Sequence, residues 1–258
     1  MTDDSVETQQ SRRSGILLHP TSLPGKYGIG DFGPAAFAWL DLLHGAGVKL
    51  WQILPLGQTG YGDSPYQCFS AFAGNRFLIS PELLIEDGIA PVTETPDFPA
   101  DRVDYGGVIG WKNDFLSHSA DAFLLTNHAK VADYKAFCEA EAGWLDDYAL
   151  FMCLKDYHGG RSWLEWPDPY RLRDFSALAA FQADHEIEIS RQKVYQFWFF
   201  EQWTRVKTYA NEHEIAILGD LPIFISMDSA DVWSNPQLFK LDSKRKPSVV
   251  AGVPPDYF

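Results

Sequence analysis

The residues best suited to chemistry are two carboxylates, Asp63 and Asp220, set where apolar stretches give way to loops. Retaining sugar chemistry uses a nucleophilic and an acid/base carboxylate about 5 Å apart, with hydrogen-bonding groups and a flat aromatic surface beside them. Asp220 interrupts the apolar run 215–225 (IAILGDLPIFI), where an ionised side chain is costly unless it is paired or hydrogen-bonded. It either serves a ligand or bonds a loop amide. Tyr61 and Tyr66 flank Asp63 and Ser64 in the loop GQTGYGDSPYQ, offering rings and hydroxyls that could pack against a sugar and hydrogen-bond it. The same composition suits a turn pinned by two packed tyrosines, and spacing alone does not choose between the two.

Other chemistries find less support. His19 could touch a ligand or begin a His-x-His metal pair, but Thr21 occupies the partner position. The loop containing GKYGIGDFG lacks the GxxxxGK[ST] pattern, and its glycines do not match a dinucleotide fingerprint. Neither Ser22 nor Ser64 sits in a GxSxG elbow. The three cysteines, Cys68, Cys138 and Cys153, lack zinc or redox spacing and fit a reducing, cytoplasmic compartment. A net charge of −14 repels phosphate backbones and anionic lipid, which disfavours nucleic acid and membrane partners. No run of 18 apolar residues occurs, and the polar start has no apolar signal region, so residues 1–14 read as a disordered tail.

The elements that position these residues follow from hydrophobic pattern. Residues 15–18 form a short strand, Pro34 opens a helix over 34–45 with Phe37, Leu40 and Leu43 at helical spacing, and residues 48–56 (VKLWQILPL) read as a buried parallel strand. That makes one βαβ unit. Residues 77–212 are mainly helical, with stretches at 111–126, 133–157 and 186–211, and 215–225 restores the buried-strand signature. Strand and helix alternation with a helical insertion suits an α/β fold, either a (β/α)8 barrel or an open doubly wound sheet. Three strands cannot close a barrel.

Four stretches carry a family resemblance: HPTSLPGKYGIGDFG (19–33), WQILPLGQTGYGDSPYQCFSAFAGN (51–75), GDLPIFIS (219–226) and VVAGVPPDYF (249–258). In that order and spacing they resemble the amylomaltases, the 4-α-glucanotransferase or disproportionating-enzyme family. The resemblance implies a (β/α)8 TIM barrel with helical insertions, of which this chain holds about the first three strands. It also implies transfer of α-1,4-glucan segments to a new 4-hydroxyl with retention of configuration, on maltooligosaccharides, amylose or glycogen and without metal or organic cofactor. By the same resemblance Tyr66 matches a tyrosine stacked near the donor-site sugar, and Asp220 an aspartate that helps hold that site. Tyr61 and Tyr105 match aromatics of an outer glucan groove, Asp63 and Ser64 belong to the Tyr66 loop, and GVPPDYF matches a flexible loop over the active site.

The resemblance also exposes an absence. The family's nucleophile lies in an Arg-x-Asp-His segment, with the glutamate acid/base and a third aspartate later still, and none of these is present. Arg102-Val103-Asp104-Tyr105 lacks the histidine, and Gln182-Ala183-Asp184-His185 lacks the arginine. The chain therefore reads as the N-terminal portion of a longer enzyme. Its nucleophile and acid/base are expected beyond Phe258, and the chain alone is expected to be inactive. The competing expectation is a noncatalytic carbohydrate-binding protein that uses the same tyrosines as a platform.

Overall fold

A computed structural model of the chain describes residues 12–60, 64–126, 128–222, 224–249 and Gly252. Three short parallel strands, β1 (Gly15–Leu17), β2 (Leu50–Gln52) and β3 (Ala216–Leu218), form a sheet in the order β1-β2-β3. Leu50 faces both Gly15 and Ala216 across the register, and Gln52 faces Leu17 and Leu218. Between β1 and β2 runs α1 (Pro34–Gly45), begun by Pro34 at its first turn and ended by a left-handed Gly47. There the amide of Val48 reaches the carbonyl of Leu43 and that of Gly47 reaches His44, a closure that needs the positive φ of +71° that glycine adopts freely.

The stretch 77–212, expected to be mainly helical, holds α2 (Pro81–Glu86), α3 (Tyr105–Leu125), α4 (Val131–Ala140), α5 (Ala142–Tyr157), α6 (Asp168–Arg171), α7 (Phe175–Asp184) and α8 (Glu186–Glu212). After β3 comes α9 (Ala230–Ser234). Helix α3 starts earlier than its apolar periodicity indicates, because Asp104 caps it by accepting from the amide of Gly107. The stretch 133–157 breaks at Glu141 into two helices with different surroundings. Helix α4 has only partly buried apolar residues such as Tyr134 and Phe137, whereas α5 is buried on every side from Tyr148 to Lys155.

The strands are shorter than their apolar runs, since Pro55 and Pro222 lack the amide needed to extend pairing. They are also not covered on both faces. Trp51 and Ile217 pack with Leu40, Val206 and Ala210 from α1 and α8, while Leu17 and Leu218 on the opposite face are 54% and 50% exposed. Leu221, Phe224 and Ile225, which follow β3, are exposed as well. No helix among the described residues is long and apolar enough to cross a membrane.

Two buried polar arrangements hold the connections. Gln196 of α8 accepts from the amide of Gly74 (2.7 Å) and donates to its carbonyl (3.0 Å), and Gln202 does the same to Ser80 (2.7 and 3.2 Å). A Cβ on Gly74 would fall 2.2 Å from the Phe199 ring, so the close approach of chain to helix requires glycine. The fully buried Lys112 of α3 donates to Asp31 (3.1 Å) and to the carbonyls of Phe77 (2.7 Å) and Ile79 (3.0 Å). Burial pushes the ammonium pKa of Lys112 down and the carboxyl of Asp31 up, and each charge partly offsets the shift of the other.

Gln202→Ala leaves the buried amide of Ser80 without a partner and its carbonyl with only the bond from the Leu84 amide (3.3 Å), and is expected to lower stability by roughly 1–3 kcal/mol, seen as a lower urea midpoint at unchanged slope. The open sheet face predicts concentration-dependent association in sedimentation velocity, relieved by Leu17→Lys with Leu218→Lys. A monomer at all concentrations would contradict it.

Candidate functional site

The loop after β2 is shaped by an isolated antiparallel bridge between Thr59 and Cys68, with Gly60 bonded to Gln67 (3.2 Å) and Phe69 to Gln58 (3.0 Å). A turn closed from Gln67 to the carbonyl of Ser64 (3.0 Å) carries Tyr66 at its tip, 45% exposed. The segment after β3 is fastened to the same loop. Ala230 donates to the carbonyl of Phe69 (2.8 Å), and Asp231 accepts from the amide of Ala71 (3.1 Å). Further along, Lys155 reaches Asp228 (2.6 Å) and lies 4.7 Å from the Phe69 ring centre, while the Trp163 indole donates to Met227 (2.7 Å).

Between these fastenings the two loops meet. The Tyr66 hydroxyl donates to Oδ2 of Asp220 (2.7 Å), and Oδ1 of Asp220 accepts from the amide of Leu221 (2.8 Å). Asp220 thus bonds a loop amide and a site side chain at once, using both oxygens. The hydrogen bond given to Asp220 raises the phenol pKa of Tyr66, with burial and the carboxylate's charge adding to it. The pair presents a carboxyl acceptor beside an exposed ring, an arrangement suited to hydroxyl-rich ligands.

Asp220 borders a cleft of about 230 Å³ with Leu54, Phe72, Phe200, Trp203 and Leu221. Phe72 is 59% exposed and lies nearly parallel to Trp144, with ring centres 6.2 Å apart. No spacing rule singles it out, and its only signal is an aromatic between small residues in the FSAFAGN stretch. Tyr105 does not join Tyr66; it lines a neighbouring cleft of about 380 Å³ with His19, Gln58, Asn75 and Arg76. Ser64 is half-buried and supplies the turn carbonyl. Tyr61, Asp63, the tail up to residue 11 and most of the motif at 249–258, Phe258 included, lie outside the described residues. The catalytic carboxylates expected beyond Phe258 fall outside them as well.

His19 caps the turn Pro20–Ser22, its Nδ1 accepting from the amide of Thr21 (3.3 Å) and lying 2.7 Å from the Thr21 hydroxyl oxygen, while Nε2 faces the carbonyl of Pro55 (3.4 Å). This pattern specifies neutral imidazole with its proton on Nε2. Burial lowers the pKa, against the raising effect of the Pro55 bond. Thr21, the residue that disrupts a metal pair, is the hydrogen-bond partner here. Among the described residues no group of three or more His, Cys, Asp or Glu side chains could hold a metal ion.

The two near-matches to the nucleophile segment have plain structural roles: Asp104 caps α3, and Asp184 ends α7.

Because the fold keeps His19 neutral, the unfolded chain takes up its proton first as pH falls. The His19 contribution to stability is fully present above pH 6.5 and is lost as the pH drops through the lowered folded value. His19→Gln is expected to remove this part of the acid sensitivity, measured by comparing the urea midpoint in neutral and mildly acidic buffer.

Comparison with known proteins gives the site its context. The model of glycoside hydrolase family 77, described as 4-alpha-glucanotransferase, matches residues 18–258. The 4-alpha-glucanotransferase of Thermus thermophilus is 49% identical over 248 residues, covering 96% of this chain and 49% of the relative, and that of Synechocystis is 45% identical with 96% and 50% covered. Amylomaltase from Streptococcus agalactiae in complex with acarbose superposes with a TM-score of 0.90 at 40% identity, over 96% of this chain and 51% of that one. Amylomaltase from Corynebacterium glutamicum, at 17% identity and a TM-score of 0.62, shares the fold over 87% of this chain and 32% of its own. The chain spans about half the length of the curated relatives it matches. On this evidence the chain belongs to the 4-alpha-glucanotransferases of glycoside hydrolase family 77.

Proposed function

We propose that this chain supplies the glucan-gripping part of a 4-α-glucanotransferase, an enzyme that moves segments of α-1,4-glucan to a new 4-hydroxyl with retention of configuration. The three parallel strands are then the first three of a (β/α)8 barrel, with the helices of residues 77–212 as an insertion. The observation that carries the reading is the 2.7 Å hydrogen bond between Tyr66 and Asp220. It joins the ends of two adjacent parallel strands, the position from which barrel enzymes build their sites. The acarbose complex of the Streptococcus agalactiae relative supports an oligosaccharide as the ligand class.

In this reading the Tyr66 ring stacks on a sugar face, and Asp220 fixes the tyrosine while accepting from sugar hydroxyls. Phe72 and Trp203 add apolar wall to the same cleft. Water exclusion along such aromatic surfaces favours attack by a sugar hydroxyl over hydrolysis. Bond breaking itself needs a nucleophilic carboxylate and an acid/base, and no Arg-x-Asp-His segment occurs in these 258 residues. In the proposed whole enzyme those groups come from beyond Phe258. Maltooligosaccharides, amylose and glycogen are the proposed partners, and a reducing cytoplasm the proposed location.

The test pairs binding with chemistry. Purified chain incubated with maltotriose is expected to release no glucose and no longer oligosaccharides, while calorimetry detects maltoheptaose binding that Tyr66→Ala weakens about tenfold. Disproportionation of maltotriose would refute the division of labour, and unchanged binding by the variant would refute the role of Tyr66.

A further inference from the structure

A third cleft, of about 440 Å³, lies between α3, α5 and α8, walled by residues that the Tyr66–Asp220 site does not use. Its volume falls within the range of small-molecule sites, roughly 300–1,000 Å³. Arg76 lies in its wall and also borders the His19–Tyr105 cleft. Its guanidinium packs near the Tyr195 and Phe77 rings, at 5.8 and 5.4 Å from their centres, and forms no ion pair among the described residues. Its Nε is buried without a hydrogen-bond partner, and so is Oδ1 of Asn113 in the same wall. Both atoms are closed off from solvent, so they are a cost carried by the fold, and a molecule in the cleft meets the charged side chains of its wall instead.

The charges narrow the ligand further. Asp114, Asp156 and Glu188 line the cleft, while Arg191 is already spent on Asp121 through two bonds of 2.6 and 2.8 Å. An anion would meet three carboxylates and, in Arg76, one cation outside any ion pair among the described residues. A bare metal ion would meet Arg76, and no metal-holding cluster occurs among the described residues. Asp156 opens onto the cleft yet has protein around most of it, and that burial raises its pKa against the pull of Arg76 and Lys155. At the mouth stands Tyr157, 59% exposed, edge-to-face with Phe181 (5.3 Å) and His185 (5.4 Å). Hydroxyls accept from the Arg76 guanidinium and donate to the carboxylates together, and a pyranose face suits the tyrosine ring.

We infer that the α3–α5–α8 cleft is a second site for a neutral oligosaccharide, separate from the Tyr66–Asp220 pair. The identity of that oligosaccharide as an α-1,4-glucan rests on the function proposed above. A second grip on the helical layer would hold a long glucan near the strand-end site.

Amide chemical shifts of the isotope-labelled chain, titrated with maltoheptaose, test this. Saturable shifts are expected at Asn113, Asp156 and Gln192, at equal midpoints in wild type and Tyr66→Ala. Tyr157→Ala should weaken the cleft response about tenfold and leave the Tyr66-loop response unchanged. Glu188→Gln, on an exposed helix surface, should weaken the cleft response in the same direction. A responding Tyr66 loop with a silent cleft overturns this inference and leaves the proposed function standing. A responding cleft with a silent Tyr66 loop does the reverse, and silence at both overturns both. Sodium sulfate that shifts the cleft amides at lower concentration than maltoheptaose would mark an anion site and overturn the inference.

Discussion

The structure depends on α8 acting as a backbone partner. Two glutamines on this helix, Gln196 and Gln202, satisfy both the amide and the carbonyl of Gly74 and Ser80, as a neighbouring strand would. Irregular chain buried between β2 and α2 would otherwise leave both amides and the Gly74 carbonyl unpaired at a cost of about 1–3 kcal/mol each, the Ser80 carbonyl alone keeping a second partner in the amide of Leu84. Because each glutamine contacts the chain 122 residues before it, the helix and the segment run alongside one another in a fixed register. The same helix leads directly into β3 and so sets where Asp220 emerges. One element therefore fixes the root of the Tyr66 loop and the strand that delivers its partner.

Other buried polar groups repeat this logic at the ends of the loops. Lys112 gathers Asp31 with the carbonyls of Phe77 and Ile79, so the glycine-rich loop after β1 and the turn before α2 hang on one ammonium group. Breaking a buried pair by removing one partner typically costs about 3–5 kcal/mol, which makes such a group a fastening even where its formation gains little. Lys155 and Asp228 do the same for the segment after β3. Site loops carried on short strands are held by these side chains more than by sheet hydrogen bonds, since each strand contributes only three paired residues.

Much of the frame was legible in the sequence. Pro34, the apolar spacing of Leu40 and Leu43 and the glycines at 45 and 47 place α1 almost to the residue, because local chemistry starts and stops that helix. The aspartate in a buried run and the tyrosines of a glycine loop also offered candidate site residues, and the family resemblance implied one donor site for Tyr66 and Asp220, which the structure brings into hydrogen-bond contact. Their hydrogen bond spans 154 residues, a separation that no periodicity reports. The glutamines were equally silent: polar residues at core-facing helix positions look like a solvated face until the chain they bond is known. The break at Glu141 leaves no mark in the pattern because it separates two burial environments, which is a tertiary property. The α3–α5–α8 cleft is assembled from residues of several helices, with no local spacing to announce it.

The open face of the sheet follows from the same physics that shapes its closed one. Parallel strands built from apolar runs are stable when both faces are covered, and α1 and α8 cover only the side of Trp51 and Ile217. On the other side, Leu17 and Leu218 flank Gln52 in one row across the three strands. In an open doubly wound sheet a second helical layer would cover that row, whereas in a barrel the sheet curls until its own opposite strands do so. Helices α1 and α8 both lie on one side of the three strands, the layering that the barrel proposed above would need. In that proposed barrel the Tyr66–Asp220 pair would stand at the rim of the interior, where groups from further strand ends would converge.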